Sequence, residues 1–150
     1  MRGPLFRLLV AWTLPLAVAV ITPTARAAHG YRVGATLAPT AGVMASQARG
    51  SFSGTLKEGK LLWTLLYFDL SGPPTFTRIE IGASGKGGGA SVRLCIHCRN
   101  SRSGATRIGP MLLAAILQHR AYVTVHTTKH ASGEIRGLLV VKNRRFRSLH

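Results

Sequence analysis

Carboxylates are nearly missing from this 150-residue chain: Glu58, Asp69, Glu80 and Glu134 stand against 20 lysines and arginines. So few acids leave little room for the paired carboxyl groups of glycosidase-type chemistry. Cysteine is scarcer still, with Cys95 and Cys98 alone. One C-x-x-C without a second cannot complete a four-cysteine zinc site. The apolar run over residues 8–21 is broken by Pro15 and falls short of the ~20 residues that a spanning helix needs. No helix-turn-helix, zinc-finger or aromatic-basic RNA-binding motif is present, so dedicated nucleic-acid recognition is not expected. Gly85-Lys86-Gly87 has the wrong residue order for a P-loop, and a strand-like segment follows where a helix is required.

What is there begins with a targeting pattern. Arg2 and Arg7 precede the apolar run, and Ala25-Arg26-Ala27 puts small residues at the two positions a signal peptidase reads. Residues 1–27 are read as a signal peptide, cleaved rather than kept as an anchor, and the protein as secreted or periplasmic. Membrane contact is expected only through that segment, if it stays attached. Residues 28–141 then form one domain of ordinary size. Residues 142–150 form a basic tail with Lys142, Arg144, Arg145 and Arg147.

Without Arg2, Arg7 and Arg26 the chain keeps 17 cationic side chains against 4 carboxylates, a formal +13. Such an excess favours adhesion to anionic polymers. An Arg-rich coding bias would give the same charge with no partner at all. In an exported protein Cys95 and Cys98 are expected as a disulfide. A redox role would want the first cysteine at a helix N-terminus. Residues 91–95 instead read as a strand running into a loop.

Alternating segments dominate the rest. Residues 31–37, 48–56, 61–70, 75–81, 91–96, 121–127 and 134–141 read as strands. Residues 61–70 are apolar on both faces, the pattern of a central strand covered on both sides. Gly59 and Gly133 sit where turns need positive φ. Residues 82–90 hold five glycines and read as a loop, and residues 98–107 as irregular chain. Residues 110–119 are the single helix candidate, with Pro110 at its first position. The expected fold is an all-β, antiparallel, Greek-key β-sandwich of about seven to eight strands, with one short helix in a crossover.

The most specific stretch is Tyr122-Val123, Val125-His126-Thr127 and Gly133-Glu134-Ile135-Arg136-Gly137. It resembles the signature of the CHRD domain, the module repeated in chordin and found singly in many bacterial secreted proteins. Thr124 replaces the usual Asn and Ala131 the usual Pro. The resemblance implies a β-sandwich without a defined enzymatic activity, and it brings no growth-factor binding with it. Many members carry a His-x-His pair on an earlier strand, like the copper-zinc superoxide dismutases; Arg78-Ile79-Glu80 stands in its place here. His126 alone cannot hold copper or zinc, and His130 lies four residues on in a strand-loop, so no metal and no other cofactor is expected.

Alternation puts Tyr122, Thr124 and His126 on one strand face, with Val123 and Val125 on the core side. Arg78 and Glu80 share a face of their own strand. A charged cluster of Arg78, Glu80 and His126 is expected there, doing structural work. Glu134 and Arg136 are expected on one face of the last strand, opposite Ile135, Leu139 and Val141. Glu134 could be read as a general base with His126 as its partner, but no activated nucleophile or oxyanion hole accompanies it. The alternative is a cross-strand ion pair or the fastening of a tight turn. No residue is assigned as catalytic. The expected function is non-enzymatic binding of a protein partner or an anionic envelope surface; the competing reading is a metal-dependent or redox enzyme.

Overall fold

The computed structural model describes residues 30–43, 46–82 and 89–142. The expected signal peptide lies outside the described residues, as do the tail beyond Lys142 and residues 83–88 of the glycine-rich loop. The described chain forms β1 (Tyr31–Pro39), β2 (Arg49–Lys57), β3 (Lys60–Phe68), β4 (Pro74–Ile81), β5 (Ser91–Ile96) and β6 (Arg102–Arg107). It continues through α1 (Pro110–Leu117), β7 (Ala121–Thr127), β8 (Ile135–Leu138) and β9 (Val140–Lys142). Every pairing is antiparallel, in the order β5-β4-β7-β8-β1-β2-β3-β6, with β9 also paired to β1. The sheet curls into a nearly closed barrel or sandwich, so the all-β class holds, with nine strands where seven or eight were expected.

Alternation explains the core. Val33 and Leu37 on β1, Leu61, Trp63 and Leu65 on β3, Ile79 on β4 and Val123 and Val125 on β7 all point inward and are buried. α1 packs against β4, β7 and β9 through Leu112, Ala115 and Ile116, one helical face at i, i+3 and i+4. It ends two residues before the expected His119, which takes a left-handed conformation at φ 56° while Arg120 N–H donates to Ala115 O at 2.8 Å. The β2–β3 hairpin closes over Glu58 (φ 52°) and Gly59 (φ 70°), with Lys57 opposite Lys60. Two consecutive positive φ values match the strand twist, as a two-residue hairpin requires.

Three expectations are corrected. Residues 61–70 are not covered on both sides: Leu61, Trp63 and Leu65 are buried, but Leu62 on the other face is 53% exposed. Residues 98–107 are not wholly irregular, since β6 pairs with β3 along Lys60–Leu65. Its sequence looked unlike a strand because Trp63 fills the inner face for both: a Cβ at Gly104 would lie 2.5 Å from the indole, and Thr106 accepts the indole N–H at 2.9 Å. Finally, the last strand is split at Leu139, whose N–H donates to Ala121 O at 2.8 Å; β8 pairs with β7, and β9 with the start of β1.

Candidate functional site

The signature hairpin builds the most buried polar region of the described chain. On β7, Val123 and Val125 enter the core, while Tyr122, Thr124 and His126 take the outer face. That face is covered as well, leaving Thr124 and His126 only 1% exposed. The cover is the turn after β7, which folds back over the strand. His126 Nδ1 lies 2.9 Å from Ala131 O. A carbonyl only accepts, so Nδ1 carries the proton and Nε2 keeps a lone pair. Among the described residues Nε2 is buried without a partner. Phe76 stacks on the ring at 4.1 Å.

Burial is the main reason the His126 pKa lies below its ordinary value. The bond to Ala131 and the field of Glu80 pull it up; Arg78 and Arg136 push it down. The imidazole is therefore a neutral packing element beside a charged group. A general base must reach its substrate's proton, and this ring has almost no exposed surface from which to do so.

Arg78 and Glu80 are joined at 2.8 Å, and Glu80 also accepts the Thr124 hydroxyl at 2.8 Å. Arg136, not expected in this cluster, joins it: its guanidinium lies 3.7 Å from Glu80 and donates to Gly82 O at 3.0 Å. The signal was register: Arg78, Thr124 and Arg136 lie directly abreast across β4, β7 and β8. Arginine stems and rings roof this cluster, with Arg136 over Tyr122 at 4.2 Å and Arg93 over Phe76 at 5.3 Å.

Glu134 does not share this face with Arg136. It precedes β8, is fully buried, and among the described residues has no cation within ion-pair distance. Its carboxylate accepts Ser71 N–H at 2.7 Å, the Ser46 hydroxyl at 3.0 Å and the Thr127 hydroxyl at 2.8 Å. Burial alone would raise its pKa; these donors outweigh burial and hold it below the ordinary value. The three donors come from the β1–β2 connection, the β3–β4 connection and β7. Neither Ser46 nor Ser71 was foreseeable, because only the closed sheet brings those connections to Glu134. The two signature glycines have steric reasons. Gly133 sits at φ 119°, where a Cβ would lie 2.5 Å from Thr124 Cγ2, and a Cβ at Gly137 would collide with the Thr36 carbonyl.

Against known proteins, the CHRD domain family model matches residues 33–139, which is most of the chain and all of this hairpin. The chain belongs to the CHRD domain family. No curated protein and no solved structure matches it. In this CHRD domain His126, Thr127, Glu134 and Arg136 each bond a neighbouring chain segment: Ala131 O, the Glu134 carboxylate, Ser46 and Ser71, and Gly82 O respectively. Among the described residues no three His, Cys, Asp or Glu side chains gather as metal ligands.

Cys95 and Cys98 form a disulfide, with Cα atoms 5.5 Å apart. It joins the end of β5 to the link that leads to β6, and these two strands are the ends of the sheet order. Tyr67 of β3 donates its hydroxyl to Cys98 O at 2.7 Å, and its N–H to Asn100 Oδ1 at 3.0 Å. The loop is thereby tied to the end of β3.

Proposed function

We propose that the chain is an exported, non-enzymatic CHRD-domain protein that attaches through its positive charge to an anionic partner of the cell envelope or its surroundings. One observation carries this: the carboxylates are used internally. Asp69 is paired with Arg49 at 2.7 Å, Glu80 with Arg78 and Arg136, and Glu134 with three hydrogen-bond donors. Glu58, in the β2–β3 turn, is the remaining one. The other cations therefore have little internal counter-charge, and their field acts outward. The enclosed His126 ring supports the non-enzymatic reading, as does the place of Cys95 near the end of a strand, where no helix N-terminus activates its sulfur.

The test is retention on a heparin column as salt rises. Screening at about 1 M shortens the Debye length to ~3 Å, so elution should be complete well below that. Failure to bind at low salt, or retention indifferent to salt, overturns the reading. Export is tested by N-terminal sequencing of protein recovered outside the cytoplasm, where a start at Ala28 is expected.

A further inference from the structure

The outer face of β2, β3 and β6 differs from the roofed cluster on β4, β7 and β8. Lys57, Lys60 and Arg107 lie directly abreast on three adjacent strands, and Arg32 faces Lys142 across β1 and β9. All five are exposed, and among the described residues none is in an ion pair. Neighbouring strands are ~4.8 Å apart, so like charges are held close, an arrangement that works against the fold. Two adjoining grooves run between these cations, of about 470 and 360 Å³, sharing Thr55 and Leu62. The larger is lined by the hydroxyls of Ser53, Thr55, Thr64 and Ser103 on β2, β3 and β6, with Arg32 and Lys142 at its β1–β9 edge. Glu58 is the single carboxylate beside either groove.

We propose that this face is a binding surface for an anionic polysaccharide, a chain of carboxylated or sulfated sugars laid across the strands. The proposal rests on the charge-based reading above and places it on one surface. Cations at strand spacing meet the repeated charges of such a polymer, and the hydroxyl-lined groove offers donors and acceptors to sugar hydroxyls. Nucleic acid fits less well, because single-strand binding uses exposed aromatic platforms. The one ring in the grooves, Trp63, is 4% exposed and committed to the core. A lipid surface fits less well too, since Leu62 is the single large apolar side chain exposed between these cations.

The test compares two triple variants of the full chain in heparin binding by titration calorimetry over a range of salt. Lys57→Gln/Lys60→Gln/Arg107→Gln should weaken binding about tenfold or more near 0.1 M salt. It should also flatten the log–log salt slope by about two to three, one released counterion for each lost contact. Arg93→Gln/Arg99→Gln/Arg120→Gln removes the same charge elsewhere and should change affinity less than about threefold, within ordinary screening. Equal losses in the two variants would refute the surface while leaving the charge-based reading intact; no binding by the unaltered chain would remove both. Tighter binding to a single-stranded DNA oligonucleotide, or to phosphatidylglycerol vesicles, than to heparin would overturn the choice of polysaccharide. Urea midpoints keep the comparison clean: the first variant should unfold no earlier than the unaltered chain, because it relieves like-charge repulsion.

Discussion

On the outer face of β4, β7 and β8, polar side chains are buried: Thr124 and His126 are 1% exposed and Glu80 is 9%. On the outer face of β3, Leu62 is 53% exposed and Phe68 50%. The two faces belong to one continuous sheet, and alternation identifies both equally well. What separates them is cover. The 128–134 turn, the Arg136 guanidinium and the Phe76 ring close over one face, whereas the described residues leave the other open to grooves. Polarity along a strand thus predicts which side a residue takes, and long-range packing decides whether that side is wet.

The largest expected effect lies beneath the covered face. Glu134→Ala would strand the Ser71 N–H and two hydroxyls, with an expected loss of about 3–5 kcal/mol in urea unfolding. Glu134→Gln keeps the shape and should cost less. If Glu134→Ala unfolds no earlier than Leu62→Thr, the contrast between the faces is wrong. Next, Gly133→Ala forces a side chain into φ 119° and against Thr124, an expected loss of about 1–3 kcal/mol. Glu80→Ala leaves Arg78 and Arg136 facing each other without a carboxylate. About 2 kcal/mol is expected, discounted because Arg78 is partly solvated.

The pH dependence sharpens the same comparison. His126 has a folded pKa below 6.5, so the unfolded chain binds its proton first. Stability is then complete above pH 6.5 and declines as pH falls from there through the folded value. Glu134 has a folded pKa below 4.5, so its contribution is present above pH 4.5 and is lost as pH falls through its own folded value. Two successive declines are expected in urea midpoints measured from pH 8 to pH 3. His126→Asn, whose side-chain amide can still donate to Ala131 O, should abolish the first and keep the second. The smallest effect belongs to the open face: Leu62→Thr should stay within about 0.5 kcal/mol. A larger loss would mean that this face is covered after all.

Much of the scaffold was readable from residues alone. The β2–β3 turn followed from Glu58-Gly59, the helix start from Pro110, and β7 from the alternation of valines with polar residues. β6 was not, because its inner positions are Gly104 and Thr106, whose strand role exists only beneath Trp63. The candidate site was half readable. Arg78 and Glu80 share a strand face by parity, but Arg136 was assigned to Glu134 because register between strands is not written in either one. Ser46 and Ser71 carry no local sign of their bond to Glu134, lying 88 and 63 residues away from it.

The sequence by itself determined the antiparallel β class, the hairpin turns, the cationic excess and the CHRD signature, since each depends on neighbours one to a few residues apart. Only the tertiary structure decided that Glu134 fastens three segments, that His126 is enclosed, and that five exposed cations gather on one face. Those outcomes depend on which strands lie abreast and what folds over them. Backbone alternation, with its period of two, carries no information about either.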